Sequence, residues 1–164
     1  MNHQIINNFL PNHLFIPLKQ EIVNNNYFSW NHIYPLNSEQ NPTDLSMYLI
    51  HMVYFEHVPA SPLWENLQEA VKLLPELKAL IRIKVNFYPV TSTLVEHAVH
   101  TDNDFTHKGA VLSLTTCDGY TKLEDGTKID SVENRLVIFD AGKPHNSTST
   151  TTPIGRYNIN FNYI

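Results

Sequence analysis

Beginning at Ile81, apolar residues occupy every second position: Ile81, Ile83, Val85 and Phe87 alternate with Arg82, Lys84, Asn86 and Tyr88. The C-terminal residues repeat the pattern, with Tyr157, Ile159, Phe161 and Tyr163 set between Arg156, Asn158, Asn160 and Asn162. Side chains on a strand point alternately to its two faces, so each segment is predicted to be a strand with one apolar face. The opposite face is built from Arg, Lys, Asn and Tyr. It either meets water or lines a wet cavity while helices cover the apolar side; alternation alone admits both.

Between these segments, residues 110–115, 120–123, 127–129 and 135–139 read as further strands, and Glu124-Asp125-Gly126 is a hairpin signal. Many short strands with turn punctuation predict an antiparallel sandwich or barrel. Upstream, Leu14, Leu18 and Ile22 recur every four residues, predicting a helix confined by Pro17 to the residues around and after it. Ser61-Pro62 opens a second helix, since serine caps orphan amides and proline suits the first turn. Its apolar stripe is Leu63, Leu67, Ala70, Val71 and Leu74, ending at Pro75. Residues 36–43 read as a surface loop and 146–153 as a polar turn.

With 164 residues, the chain has room for one domain, predicted over 1–164 with a helix-rich support (1–80) and a strand-rich core (81–164). A hydrophobic share of 42% against 16% charged excludes disorder as the dominant state. The net charge of −5 argues against a partner such as duplex nucleic acid. No apolar stretch approaches the roughly 18 residues of a membrane span. Residues 1–6 lack a basic segment followed by an apolar one, so no secretory signal is read there. Cys117 is the single cysteine, which rules out an internal disulfide and a cysteine-based zinc site. The setting expected on these grounds is cytoplasmic.

Nine histidines are present, and their placement carries the chemistry. In His100-Thr101-Asp102, residues two apart on an extended backbone project to one side, offering an imidazole and a carboxylate to one metal ion. His145, aimed by Pro144, would complete two nitrogens and one oxygen, a facial set that leaves about three octahedral positions open. Arg156 opens the last strand. Its planar fork suits a carboxylate, with a salt bridge to Glu133 or Asp130 as the alternative. His97 is expected on the other side of the strand from His100, His107 in the loop after it, solvated or else approaching substrate, and His51 and His57 in a structural segment. Cys117 is expected to be a small buried or half-buried residue.

Together these features resemble the iron(II)- and 2-oxoglutarate-dependent dioxygenases, especially the compact prolyl-hydroxylase-like members of bacteria and phages. That family carries His-x-Asp, a long gap, His, then a basic residue, matched here by His100, Asp102, His145 and Arg156. Asn86-Phe87-Tyr88-Pro89 looks like its first core strand, and Gly119-Tyr120-Thr121 falls at a glycine-rich turn of the family. Residues 134–139 followed by Pro144-His145 are similar to the strand and loop bearing its distal histidine. The likeness spans residues 81–164. It departs at Asn158, where the family often has Ser or Thr, and in the Gly-Tyr-Thr turn, which lacks an acidic residue.

The resemblance implies a mostly β fold with helices: a double-stranded β-helix, or jelly-roll and cupin-like barrel, backed by N-terminal helices. It implies Fe(II) held by His100, Asp102 and His145, with 2-oxoglutarate and O2 as cosubstrates. Arg156 would meet the 5-carboxylate, with Asn86, Tyr88 and Asn158 as cavity walls. Tyr88 is either a further hydrogen-bond donor to 2-oxoglutarate or a packed core residue. The implied reaction hydroxylates an unactivated C–H bond of a peptidyl residue, prolyl above all, releasing succinate and CO2. The alternatives are a small-molecule or nucleobase substrate, a non-enzymatic jelly-roll module binding metal or carboxylate, and a cupin-type metalloenzyme. The last normally uses several histidines and a glutamate.

Overall fold

A computed structural model describes residues 3–33 and 47–164; the loop predicted at 36–43 lies outside them. In chain order the elements are β1 (His3–Asn7), α1 (Asn12–Val23), β2 (Asn31–Ile33), β3 (Tyr48–Phe55), β4 (Val58–Pro59), α2 (Leu63–Lys72) and β5 (Leu80–Tyr88). β6 (Lys108–Ser113), β7 (Tyr120–Leu123), β8 (Lys128–Asp130), β9 (Arg135–Asp140), β10 (His145–Ser147) and β11 (Arg156–Tyr163) follow. The major sheet runs β1-β9-β6-β11-β5-β3-β2 with β4 beside β3, and the minor sheet runs β10-β7-β8.

The two alternating segments are neighbours. β5 and β11 pair antiparallel with Tyr88 opposite Arg156, Asn86 opposite Asn158, Lys84 opposite Asn160 and Arg82 opposite Asn162. Their apolar faces therefore merge on one side of the sheet and their polar faces on the other. On the apolar side, Ile83, Val85, Ile159 and Phe161 are fully buried with Phe15, Leu18 and Ile22 of α1 and Leu63, Leu67 and Val71 of α2. Each such side chain contributes about 1.5–3 kcal/mol on burial, so this face fixes which way the sheet is turned. The polar side is covered by the minor sheet. Val111, Val137 and Phe139 of the major sheet join Leu123 and Ile129 of the minor one in a second, smaller core. Two antiparallel sheets closed over a polar interior make the jelly-roll that the resemblance implied.

Three details differ from the sequence reading. The front half is more than helical support, because β1 to β4 belong to the major sheet. β3 is a nearly continuous apolar run, Tyr-Leu-Ile-His-Met-Val-Tyr-Phe, without the alternation that marks a half-buried strand. Helix α1 begins before Pro17 and passes through it. Pro17 and His13 are both exposed, so the His13 carbonyl that loses its helical donor to the proline lies at the surface. Lastly, residues 146–153 are not simply a turn. Asn146 and Ser147 lie in β10 opposite Lys122 and Thr121, and Thr148 and Thr150 form bridges to Glu96 and Val90. Polar residues facing a wet interior carry no hydrophobic period, so nothing in their pattern betrays a strand.

Candidate functional site

His100 and His145 exchange two backbone hydrogen bonds of 2.9 Å, and the Asp102 amide donates to the Ala141 carbonyl at 3.0 Å. This stitches residues 100–102 alongside the start of β10. Ligand atoms of His100, Asp102 and His145 consequently lie within 4.8 Å of one another. Among the described residues no other trio of His, Cys, Asp or Glu converges in this way.

Each imidazole is held from behind. Nδ1 of His100 donates to the Ala98 carbonyl at 3.3 Å and Nδ1 of His145 to that of Lys143 at 2.9 Å. A proton on Nδ1 leaves the Nε2 lone pair free, the tautomer a metal ligand needs. Burial, with His145 alongside, lowers the His100 pKa and keeps its ring neutral. Burial pushes the Asp102 carboxyl up, but the Arg82 guanidinium at 2.9 Å and the Asn162 amide at 2.8 Å outweigh it. The net result holds Asp102 well below the usual carboxylate range, ionised and ready to coordinate.

Arg156 sits at the other end of the polar face and is 1% exposed. Its Nε donates to Ser131 Oγ at 2.8 Å, Nη1 to the Thr148 carbonyl at 3.2 Å and Nη2 to Thr121 Oγ1 at 3.1 Å. Its guanidinium carbon lies 5.1 Å from the Tyr88 ring centroid. Among the described residues it has no carboxylate partner. Glu133 pairs with Lys19 and Asp130 is exposed, so the salt-bridge alternative fails. A guanidinium has five N–H donors, and those not yet engaged await an acceptor. Gly119 makes this placement possible: a Cβ there would stand 2.7 Å from Arg156 Cδ and 2.7 Å from the Ser149 carbonyl. Gly119→Ala should therefore displace the guanidinium, weakening carboxylate binding at least tenfold, on the order of 1.4 kcal/mol, with metal affinity unchanged. Parallel metal and 2-oxoglutarate titrations check this; unchanged 2-oxoglutarate affinity would mean that Arg156 has another route.

The wall between these ends contains the other residues singled out in the sequence. Asn86 donates to Asn158 Oδ1 at 2.8 Å, and both face the cavity. Tyr88 also lines it, stacked on Tyr48 at 5.3 Å and on His97 at 5.2 Å. The polar faces of β5 and β11 thus enclose a cavity instead of meeting bulk water. His97 is buried behind that wall, bonded to Ser147 Oγ at 2.9 Å. The segment before His100 is irregular, so counting alternate faces there misplaces it. His107 is buried too: its Nε2 accepts from Asn162 and Asn103, both at 3.2 Å, which ties the loop to the amide that also holds Asp102. His51 is structural, bridging the Ser29 carbonyl and Ser61 Oγ. Sequence reasoning assigned no role to Tyr48, Arg82, Lys84, Thr121, Asn160 or Asn162, all now seen at the site.

No protein-family model matches the sequence, and no curated protein does. Solved structures do match the fold. A prolyl-4-hydroxylase from Pseudomonas putida superposes with a TM-score of 0.69 at 17% identity, covering 99% of this chain and 91% of that one. A prolyl hydroxylase from Trichoplax adhaerens, solved with a hypoxia-inducible-factor oxygen degradation domain peptide, gives 0.63 at 18% identity, covering 99% and 83%. The non-heme α-ketoglutarate-dependent epimerase SnoN of nogalamycin biosynthesis gives 0.67 at 10% identity, covering 99% and 77%. At such identities the likeness establishes the fold, and function rests on the site. Among the described residues no helix is long and apolar enough to cross a membrane.

Proposed function

We propose that this chain is an iron(II)- and 2-oxoglutarate-dependent oxygenase that hydroxylates a peptidyl residue, with proline the foremost candidate, and releases succinate and CO2. One observation carries the reading: a fully buried arginine with no carboxylate partner among the described residues lies across a polar cavity from a His-Asp-His set. A metal site alone has no use for that cation. A dicarboxylate bound to the metal at one end needs it at the other.

The donor set fits the metal. Two imidazoles and one ionised carboxylate suit iron(II) and leave room for further ligands. When bound, the iron, 2-oxoglutarate and dioxygen supply the oxidising chemistry. The chain's own contribution is geometric. The Ala98 and Lys143 carbonyls aim the imidazoles, Arg82 and Asn162 keep Asp102 ionised, and Arg156 fixes the far carboxylate. The two sheets limit the entry of water. For the substrate, two of the matched structures are prolyl hydroxylases, one carrying a peptide. Val99, next to His100 in the chain, is 57% exposed, and Phe105, three residues after Asp102, is 46% exposed, two apolar side chains that a peptide could use.

With Fe(II), 2-oxoglutarate and air, the protein should form succinate, detected by NMR, and faster with prolyl peptides than with free proline. His145→Ala should form none. Binding of 2-oxoglutarate without succinate under any condition would favour a non-enzymatic carboxylate-binding module. Preference for free proline over every peptide would move the substrate to a small molecule.

A further inference from the structure

Four charged groups converge along the polar face of β5 and β11, and one of them has no role so far. Arg82 pairs with Asp102 at 2.9 Å. Arg156 and Lys84 remain, and both line the cavity. Among the described residues Lys84 makes no hydrogen bond or ion pair; its ammonium rests 5.5 Å from the centroid of the Tyr48 ring. Burial, with the repulsion of Arg82 and against the pull of Asp102, lowers its pKa to about 8. This is a cation held in the wall without an anion.

Its place on the strand is informative. Lys84 is opposite Asn160, whose amide reaches Asp102 Oδ2 at 3.3 Å, and it follows Arg82 on the same face. Arg156 is opposite Tyr88, four residues further along β5, a separation of about 13 Å at strand rise. The two cations, unpaired among the described residues, therefore attach to opposite ends of the polar face, Lys84 beside the proposed metal ligands and Arg156 remote from them. Two buried acceptors without partners, Asn86 Oδ1 and Asn160 Oδ1, belong to the residues flanking Lys84. An ammonium has three donors, enough for both amide oxygens and one carboxylate oxygen. 2-Oxoglutarate, which only accepts hydrogen bonds, cannot satisfy those amides by itself.

We propose that Lys84 binds the metal-side carboxylate of the dicarboxylate, so that the cavity clamps it between two cations. The proposal rests on the proposed function. One carboxylate oxygen is left for the metal and the other for Lys84. The clamp belongs to the protein, so it selects a dicarboxylate over a monocarboxylate before any metal is bound.

The test uses metal-free protein and two probes, glutarate with two carboxylates and pentanoate with one, followed by calorimetry. Wild type should bind glutarate at least tenfold more tightly than pentanoate. Lys84→Met and Lys84→Gln should each erase that preference while leaving pentanoate affinity within about twofold, a change below about 0.4 kcal/mol on the usual scale. Equal weakening of both probes would make Lys84 merely structural, and an unchanged preference would overturn the proposal outright. Arg156→Ala separates the two levels of inference. If it loses glutarate while the Lys84 variants keep it, the oxygenase reading stands and the clamp falls. If it keeps glutarate, the oxygenase reading falls as well; if wild type binds neither probe, the clamp falls, because it was to act before any metal is bound.

Discussion

Arg156→Ala is expected to leave Fe(II) affinity nearly intact and to lower 2-oxoglutarate affinity by two orders of magnitude or more. Breaking a buried charge pair from one side costs about 3–5 kcal/mol, because the surviving charge stays desolvated and unpaired. Here the survivor is a carboxylate at the closed end of a cavity where Arg156 is 1% exposed. On the scale of ~1.4 kcal/mol per tenfold, that cost corresponds to a factor of at least about 100. The three groups that now hold the guanidinium, Ser131 Oγ, Thr121 Oγ1 and the Thr148 carbonyl, are all neutral. None replaces its charge. Arg156→Lys should fall between the two, retaining the charge without the planar fork. Paired anaerobic titrations, metal first and then 2-oxoglutarate, read both affinities on one sample. Loss of iron together with 2-oxoglutarate would show that Arg156 holds up the minor sheet instead of binding a ligand.

The reasons this arginine was legible in the sequence are the same reasons that much of its surroundings was not. Strict alternation in β5 and β11 located both strands and their polar faces, because the apolar face must be buried and the period of two is exact. Alternation could not tell water from a cavity. That was decided by β7, β8 and β10, which close over the polar face and are partly made of residues without hydrophobic period, such as Asn146 and Ser147. The His-x-Asp spacing was informative, yet its geometry comes from a different source than regular strand alternation. A backbone bridge to His145 and a bond from Asp102 to Ala141 bring the ligands together across more than forty residues of chain. Tyr48 was invisible because its role follows from the pairing of β3 with β5, a long-range event with no local mark. His107 was misjudged for a related reason: a histidine in a loop reads as solvated until the strand residue that caps it, Asn162, is placed.

Asp102 is where metal binding and folding meet, and it gives the second large effect. Asp102→Ala and His145→Ala should both abolish tight metal binding, since each removes one of the three proposed ligands. In metal-free protein their stabilities should differ. His145→Ala removes an imidazole and takes no partner from a charged side chain. Asp102→Ala leaves Arg82 facing an empty position, with a side chain only 20% exposed, and takes the acceptor from the Asn160 and Asn162 amides. A buried charge left without its partner costs about 3–5 kcal/mol; partial exposure of Arg82 places this case toward the lower end. At ~2–4 °C per kcal/mol for a chain of this size, the melting temperature should fall by about 6–12 °C in the presence of chelator. Adding Arg82→Met to Asp102→Ala should recover a substantial part of that loss, because an apolar side chain of similar length no longer demands an anion. It should recover no metal binding. Chelator-treated samples of wild type, the two single variants and the double variant, melted side by side, test the point. If Asp102→Ala melts with wild type and Arg82→Met restores nothing, the Arg82–Asp102 pair contributes no stability, and Asp102 is held ionised by its asparagines alone.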